Sequence, residues 1–329
     1  MLRPPQPIED LRSAAEALLG QPVLAVAPAG VGGNSRVFKL EMADGPLALK
    51  SYPSLPGDVR RRAAVEWAAL TFMRDHNLTA VPQPIVRDPD GDFIITDWIE
   101  GAPVAVPAPG DIAHAARFVS EIFALSGEPA AAAFPAASEA CLSAAEIVSQ
   151  IERRLSSFAP DPDLDRFLAE DFRPALDQAK ASLGDELDRP SDLPEELRRL
   201  IPADFGFHNA LREAGGALRY IDFDYFGWDD PVKLAADFVL HPAMRLGAQD
   251  GCEFVTHLAA ALPEDLDFEP RLRCHLPLYG LRWALIVLNP FRLDRMGSPR
   301  NAASSEVMLA DRLGTAFAVM DKAAVWGRG

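Results

Sequence analysis

The sequence has few cysteines, few basic residues and no long apolar run. Cys141, Cys252 and Cys274 are widely separated, so their spacing matches neither a metal site nor a disulfide framework, and we expect small core residues. The longest apolar runs, such as Ala284–Leu288, are far too short to span a bilayer. Acidic residues interrupt the helical pattern of Met1–Gly20, which excludes a signal peptide. These absences predict a cytoplasmic protein that makes no use of a membrane.

Positive charge is also scarce. The 329 residues include 32 Lys and Arg against 48 Asp and Glu, a formal net charge of −16. This balance works against partners that are bound through a phosphate backbone, because such binding depends on Lys and Arg. We therefore predict no nucleic-acid partner. A free nucleotide remains possible, since a metal ion and a few local donors can offset its charge.

The apolar pattern changes character near residue 100. The first part reads as a small sheet with helices, and the remainder as mostly helical. The predicted helices of the first part are Asp10–Leu19 and Asp58–His76, and its strands are Val23–Ala27, Arg36–Glu41, Pro46–Tyr52, Ile85–Arg87 and Phe93–Trp98. The later predicted helices are Asp111–Leu125, Ala144–Ser156, Asp163–Leu183, Glu195–Leu200, Val232–Arg245, Glu253–Leu262, Leu276–Leu288 and Ser304–Trp326. We therefore predict an α+β fold with a lobe of residues 1–100 and a helical lobe of residues 101–329.

Three polar side chains that phosphoryl transfer needs occur in the stretch 201–231. Asp204 and Asn209 lie in a predicted loop, and Asp222 follows the short apolar strand Leu218–Ile221. One carboxylate can position an attacking hydroxyl, while an amide oxygen and a second carboxylate can hold Mg²⁺ on nucleotide phosphates. We predict that Asp204 is catalytic and that Asn209 and Asp222 bind the metal. The structural alternatives are that Asp204 only forms an Asx-turn and that Asn209 only forms a turn or caps a helix.

Other polar residues of this stretch are assigned supporting roles. His208 is interpreted as a loop-packing or substrate-edge residue, because Asp204 fits the transfer geometry better. Asp224 could reach the second metal shell. Asp230 precedes a proline and is expected to begin a helix, on which Asp237 is expected to bond the catalytic-loop backbone.

Glycines and small polar residues lie between the first two predicted strands, at Gly30, Gly32, Gly33, Asn34 and Ser35. Closely spaced glycines let backbone N–H groups approach phosphates without obstruction by a Cβ atom. The same composition is typical of an ordinary hairpin turn. Both interpretations stay open at this point.

A lysine in an apolar strand and a glutamate on the next helix form a candidate pair. Lys50 follows Leu-Ala-Leu, and a buried ammonium needs anionic partners. Its functional role would be to contact the α- and β-phosphates while Glu66 holds it in place. The alternatives are an exposed strand-end lysine and a surface ion pair between Glu66 and the basic run Arg60–Arg62.

The segment that joins the two predicted lobes is Thr96–Gly101. Extended backbone at Asp97, Trp98 and Ile99 could hydrogen-bond the edge of a purine base through its N–H and C=O groups. A plain crossover between lobes explains the segment equally well, because recognition by backbone leaves no side-chain signature.

Taken in order, these motifs resemble those of the aminoglycoside phosphotransferase and choline kinase superfamily, over about residues 20–245. A-D-F-G-F-H-N at 203–209 resembles the H-G-D-x-x-x-x-N block of that family, and I-D-F-D-Y-F-G-W-D-D-P at 221–231 resembles its I-D-[WF]-[ED] block. The match is nearest to a bacterial branch that carries S-D-F-G-F-H-N-A-L. The family histidine and glycine before the catalytic Asp are replaced here by Pro202 and Ala203, which bears on rate more than on reaction type.

The resemblance implies a bilobal protein-kinase-like fold with a small antiparallel-sheet lobe. It also implies Mg²⁺-dependent transfer of the γ-phosphate of ATP or GTP to a hydroxyl of a small molecule, with Asp204 as the catalytic carboxylate. The expected acceptor is a sugar, amino sugar or amino alcohol. The alternative, suggested by Pro202 and Ala203, is a nucleotide-binding pseudokinase that acts as a sensor or scaffold. A protein kinase fits less well, because a helix follows Asp222 with no activation segment between them.

Overall fold

The computed structural model describes residues 7–31, 35–52, 61–89, 93–187, 192–293 and 305–327. Contacts within the chain group the residues into two units. The first unit comprises Met1–Ser138 and Leu200–Gly227, and the second comprises Glu139–Arg199 and Trp228–Gly329. The predicted boundary after residue 100 stays a prediction.

The first unit contains a five-stranded antiparallel sheet in the order β1-β2-β3-β5-β4. Its strands are β1 (Ala25–Val31), β2 (Arg36–Glu41), β3 (Leu47–Ser51), β4 (Pro84–Arg87) and β5 (Phe93–Asp97). In β3, Lys50 lies opposite Val37 on one side and Ile94 on the other. The central position of β3 therefore surrounds this lysine with apolar neighbours.

Apolar side chains on one set of alternating strand positions pack against the first helix, α1 (Ile8–Leu19). Leu11 and Ala15 of α1 share a buried cluster with Phe38, Leu40 and Leu49 of the sheet. Apolar residues recur at helical spacing in α1 and at every second position in β2. Each element therefore presents one apolar face to the shared core.

The remainder of the first unit consists of two helices and a small second sheet. The helices are α2 (Arg62–Asp75) and α3 (Asp111–Leu125). The antiparallel strands β6 (Ala102–Pro103), β8 (Ala210–Arg212) and β9 (Leu218–Tyr220) pair in the order β6-β8-β9. The hairpin of β8 and β9 carries the segments on which the predicted catalytic and metal residues lie.

The second unit is mainly helical. Its helices are α4 (Ala144–Leu155), α5 (Pro162–Phe167), α6 (Arg173–Leu183), α7 (Pro231–Leu240), α8 (Ala248–Ala260), α9 (Phe268–Val287) and α10 (Ser305–Trp326). A π-helical turn, Leu168–Phe172, joins α5 to α6, so the predicted Asp163–Leu183 is helical throughout. Helix α7 begins as expected, because the Asp230 carboxylate accepts the Val232 N–H ahead of the first turn. In the described ranges, no helix has the length and apolar character needed to cross a bilayer.

Two expectations about local structure are wrong. The predicted helix Glu195–Leu200 is a single 3₁₀ turn, Glu195–Leu197, followed by strand β7 (Arg199–Ile201). A further short strand is β10 (Gly227–Asp229). The Leu200 N–H donates to Ser126 Oγ at 2.9 Å. This hydrogen bond to a residue distant in sequence takes the place of the backbone hydrogen bond that a helix would have made. Of the three thiols, only Cys141 is buried, whereas Cys252 and Cys274 are exposed.

The buried acid Asp237 is held by residues of its own unit. Its carboxylate accepts hydrogen bonds from Trp283 Nε1 at 2.7 Å and Arg282 Nη1 at 3.3 Å, and pairs with Lys233 at 3.0 Å. These partners all belong to the second unit, whose helices Asp237 therefore stabilises. The expected bond from Asp237 to the catalytic-loop backbone stays a prediction. The predicted α+β class is confirmed, with a small antiparallel sheet and a mostly helical remainder.

Candidate active site

Lys50 contacts two of the carboxylates that the sequence singles out. Its ammonium nitrogen Nζ donates to Glu66 Oε2 at 2.6 Å and to Asp222 Oδ1 at 2.5 Å. The lysine is mostly buried, which rules out the strand-end alternative of an exposed side chain. Burial alone would lower the pKa of the Lys50 ammonium, but attraction to Glu66 and then Asp222 outweighs it and raises that pKa. The lysine is therefore a fixed positive charge among carboxylates.

Tyr52 is a member of this group that the sequence analysis missed. Its hydroxyl donates to Glu66 Oε2, the oxygen that also accepts from Lys50, and the Lys50 ammonium lies 5.3 Å from the centre of its ring. Burial, followed by the charge of Glu66, raises the pKa of Tyr52 well above its ordinary value. The available signal was its position two residues after Lys50, where alternate residues of an extended chain point to the same face.

We expect Tyr52→Phe to lower the free energy of unfolding by about 1.5–3 kcal/mol, because a buried carboxylate loses a hydrogen bond to its charged group. Tyr279→Phe is the matched control. The Tyr279 hydroxyl is also buried but has no hydrogen-bond partner among the residues that the structure describes, so its removal should be nearly neutral. Urea denaturation of both variants measures the difference, and equal losses would contradict a special role for the Tyr52 hydroxyl.

Helix α2 also contacts the segment after Asp222 through a second residue. Arg62 and Glu66 lie one turn apart on the same face of α2. Arg62 Nη1 is 3.8 Å from Asp224 Oδ2, and the guanidinium lies 5.5 Å from the centre of the Tyr225 ring. Arg62 is therefore buried beside Asp224 and not at the surface, where the alternative of an exposed ion pair with Glu66 would place it.

Asp224 is far less accessible than Asp222. The Asp224 side chain is 3% exposed, against 32% for Asp222. Burial, followed by the neighbouring charge of Asp222, raises the pKa of the Asp224 carboxyl above its ordinary value. The geometry leaves Asp222 as the carboxylate that can receive a ligand from solvent, with Asp224 buried behind it beside Arg62.

The loop around Asp204 is held by its own polar groups. Asn209 Nδ2 donates to the Asp204 carbonyl at 2.8 Å, and the Asn209 N–H donates to the Gly206 carbonyl at 3.0 Å. His208 Nε2 lies 3.1 Å from Asp204 Oδ1, so the histidine contacts the predicted catalytic carboxylate. The Asp204 side chain is 39% exposed, which leaves it open to a substrate.

The hairpin of β8 and β9 brings Asn209 and Asp222 to the same end of one ladder. Ala210 pairs with Tyr220, and the Ile221 N–H donates to the Asn209 carbonyl at 2.9 Å. Asp222 follows directly, with a left-handed backbone at φ 72°. For a non-glycine residue this conformation costs on the order of 1 kcal/mol or more, and such strain persists where surrounding contacts enforce it. Here the contact with Lys50 is one of them.

This oxygen donor set fits Mg²⁺. The amide nitrogen of Asn209 is used within the loop, which leaves its oxygen Oδ1 as the donor atom, and Asp222 is a partly exposed carboxylate. Hard oxygen ligands of this kind are those that Mg²⁺ prefers. The assignment of both residues as metal ligands stays a prediction.

A buried aromatic ring on α3 packs against both functional segments. The Phe118 ring centroid lies 5.7 Å from that of Phe205, 6.3 Å from that of Phe223 and 4.5 Å from that of Tyr220. Phe205 follows Asp204 directly, and Phe223 follows Asp222. One side chain therefore fixes the backbone next to both carboxylates. The sequence marks Phe118 only as part of an apolar helix face, with no sign of these partners.

Part of the predicted nucleotide-contacting set is described. Gly30 lies in β1 opposite Val37, and Ser35 is buried just before β2. Gly32, Gly33 and Asn34 lie outside the described residues, so their predicted contact with phosphates stays a prediction.

The predicted base-contacting segment follows the end of β5. The Asp97 N–H donates to the Gln83 carbonyl at 3.0 Å, and the Asp97 carboxylate accepts the Gln83 N–H at 2.6 Å. This N–H is therefore engaged within the sheet, and the predicted contact of Asp97, Trp98 and Ile99 with a purine stays a prediction. The Lys39 ammonium lies 5.1 Å from the centre of the Trp98 ring, on the adjoining part of the sheet.

Comparisons with known proteins agree on the fold. No protein-family profile matches the chain, and no curated protein matches it by sequence. A choline/ethanolamine kinase family protein from Mesorhizobium loti is similar in structure, with a TM-score of 0.63 and 17% identity over 97% of this chain and 98% of that chain. Choline kinase LicA from Streptococcus pneumoniae, in complex with AMP, has a TM-score of 0.62 and 16% identity, covering 96% and 98%.

A spectinomycin phosphotransferase in complex with ADP and spectinomycin is similar over 98% of this chain and 99% of its own, with a TM-score of 0.63 and 10% identity. These solved structures cover almost the whole length of the chain on both sides of the comparison. The predicted fold is confirmed: the chain has the protein-kinase-like α+β fold of choline kinases and aminoglycoside phosphotransferases.

Proposed function

We propose that the protein is a small-molecule kinase that transfers the γ-phosphate of ATP or GTP to a hydroxyl of a sugar, amino sugar or amino alcohol. The observation that carries the proposal is the contact of one buried ammonium, Lys50 Nζ, with Glu66 and Asp222 at 2.6 and 2.5 Å. A lysine held by a helix glutamate beside a metal-binding carboxylate is the arrangement that positions nucleotide phosphates in kinases.

Each residue of the site receives one task. Lys50 would contact the phosphates, and Asp204 would accept the hydrogen bond of the acceptor hydroxyl and orient it toward the γ-phosphorus. Asn209 and Asp222 would hold Mg²⁺, which neutralises charge on the phosphates when it is bound. Catalysis in such a site comes mainly from positioning and electrostatics, since phosphoryl transfer passes through a loose transition state.

His208 supports the orientation of Asp204. Its Nε2 atom lies within hydrogen-bond distance of Asp204 Oδ1, while Asn209 bonds the carbonyl of the same residue. Asp204 is thus held at both its side chain and its backbone. This double constraint compensates for the Pro202 and Ala203 that stand in place of the usual histidine and glycine, and it favours an enzyme over the pseudokinase alternative.

The proposed acceptor class has two supports. The similar solved proteins are kinases or phosphotransferases named for choline, ethanolamine or spectinomycin. The formal charge of −16 also favours cationic over anionic acceptors in diffusional encounter. An acceptor that carries both an amine and a hydroxyl is therefore favoured.

Nucleotide binding and turnover test the proposal separately. Calorimetry with MgATP and MgGTP should show binding to the full chain. A panel of amino alcohols, sugars and amino sugars, followed by mass spectrometry, should reveal a product heavier by one phosphoryl group. Binding without turnover across the panel would support the pseudokinase, and the absence of binding to either nucleotide would refute both functions.

A further inference from the structure

Lys50 and the proposed metal ion require the same carboxylate. Lys50 Nζ donates a charge-assisted hydrogen bond to Asp222 Oδ1, at 2.5 Å. Asp222 is also the partly exposed carboxylate at the end of the β8–β9 hairpin. A cation that approaches Asp222 from solvent therefore meets a carboxylate that is already neutralised by an ammonium group.

We propose that Lys50 acts as an internal counter-ion that blocks Asp222 until a nucleotide arrives, so that the protein binds free divalent cations weakly. The nucleotide phosphates then attract Lys50 away from Asp222 and make that carboxylate available. Nucleotide and metal consequently bind with positive coupling, since each favours the state in which Lys50 has left Asp222. This inference rests on the proposed kinase function.

The two contacts of Lys50 differ in a way that permits this exchange. Glu66 is 3% exposed and its Oε2 also accepts the Tyr52 hydroxyl, so this partner is fixed in place, and a buried carboxylate that lost its ammonium partner would be left uncompensated. Asp222 is 32% exposed, so a ligand can reach it from solvent. The contact with Glu66 therefore anchors the side chain, and the contact with Asp222 is the one that a phosphate can replace.

Nearby charges explain why the lysine rests on Asp222 in the first place. Three carboxylates, Glu66, Asp222 and Asp224, surround the ammonium and contribute to its electrostatic environment. A second cation, Arg62, lies beside Asp224 at 3.8 Å. Without Lys50, Asp222 would be a carboxylate next to a second carboxylate, and a divalent cation would be strongly attracted to it.

Binding of Mn²⁺ to the full chain without nucleotide tests the proposal by electron paramagnetic resonance. Lys50→Met should bind Mn²⁺ about tenfold or more tightly than the wild type, because an adjacent positive charge has been removed. Lys50→Arg keeps the charge and should bind Mn²⁺ as weakly as the wild type. Lys39→Met, which removes a cation near Trp98, is the distant control and should change nothing.

A double variant tests whether Asp222 is the carboxylate responsible for the tighter Mn²⁺ binding. In Lys50→Met/Asp222→Asn the gain in Mn²⁺ affinity should disappear, because the freed carboxylate is gone. Unchanged Mn²⁺ affinity in a folded Lys50→Met protein would overturn the inference, as would a gain that survives the loss of Asp222. If Lys50→Met does not fold, the affinity for ATP is compared between the wild-type and Asp222→Asn proteins in EDTA. Asp222→Asn should bind ATP more tightly, because Lys50 is no longer held by that carboxylate. Equal or weaker ATP binding would overturn the inference.

The two proposals fail in different ways. Failure of the wild type to bind either nucleotide in calorimetry would remove the proposed function. Normal nucleotide binding combined with unchanged Mn²⁺ affinity in Lys50→Met would remove only the counter-ion role.

Discussion

Replacing Asp204 with asparagine will lower turnover by about 10²–10⁴-fold, the range expected when a positioned proton acceptor is removed. Asparagine keeps the shape of the side chain and can still lie beside His208, but its amide no longer accepts the hydroxyl proton. Affinity for MgATP should be unchanged, because the groups proposed to contact the nucleotide and metal are Lys50, Asn209 and Asp222. Phosphorylation of the acceptor and calorimetric binding of MgATP are the two measurements.

An exposed carboxylate elsewhere supplies the control for Asp204. Asp163 lies at the start of α5 in the second unit, where its side chain is 62% exposed. Asp163→Asn should leave both turnover and nucleotide affinity as they are. Full turnover in Asp204→Asn would remove this residue from the mechanism and would reassign proton acceptance to another group such as His208.

Phe118→Ala is expected to lower the free energy of unfolding by about 3–5 kcal/mol, the usual cost of deleting a buried aromatic ring. The ring fills space between Phe205, Tyr220 and Phe223. Its loss leaves a cavity next to the two segments that carry the catalytic and metal carboxylates. Chemical denaturation gives the stability change of the purified variant.

A milder pair of variants separates stability from positioning. Phe118→Leu retains apolar volume and should remain folded, but with a lowered kcat because both segments lose their common ring contact. Phe254→Leu in the second unit removes a ring stacked on Phe238 at 3.6 Å and serves as the matched aromatic control. If the two leucine variants lose stability and kcat to the same extent, Phe118 has no positioning role beyond packing.

Much of this arrangement could be read from local patterns. Lys50 is marked by the apolar strand around it, and Glu66 by its place on the following helix. Asn209 and Asp222 are marked by their residue types on either side of a predicted strand. These signals are local because strand period, helix period and oxygen-ligand chemistry are each expressed within a few residues.

The partners that support the site could not be read in the same way. Tyr52, Arg62 and Phe118 act through contacts with residues that are distant in sequence, and a periodic apolar or basic pattern does not specify its partner. The helix predicted at Glu195–Leu200 failed for a related reason, since a hydrogen bond from Leu200 to Ser126 overrides local propensity. Exposure of Cys252 and Cys274 likewise depends on which face of a helix is left uncovered.

In the β8–β9 hairpin, the distance between the polar residues at one end does not depend on which residues form the turn at the other end. The tip is a tight turn in which the Gly216 N–H donates to the Glu213 carbonyl and the Glu213 N–H donates to the Ala217 carbonyl. Backbone pairing between Ala210 and Tyr220, rather than the turn, fixes how far apart Asn209 and Asp222 lie. The turn is therefore a natural place to graft a fluorophore or an epitope peptide, which would report on this hairpin from the end remote from its chelating side chains.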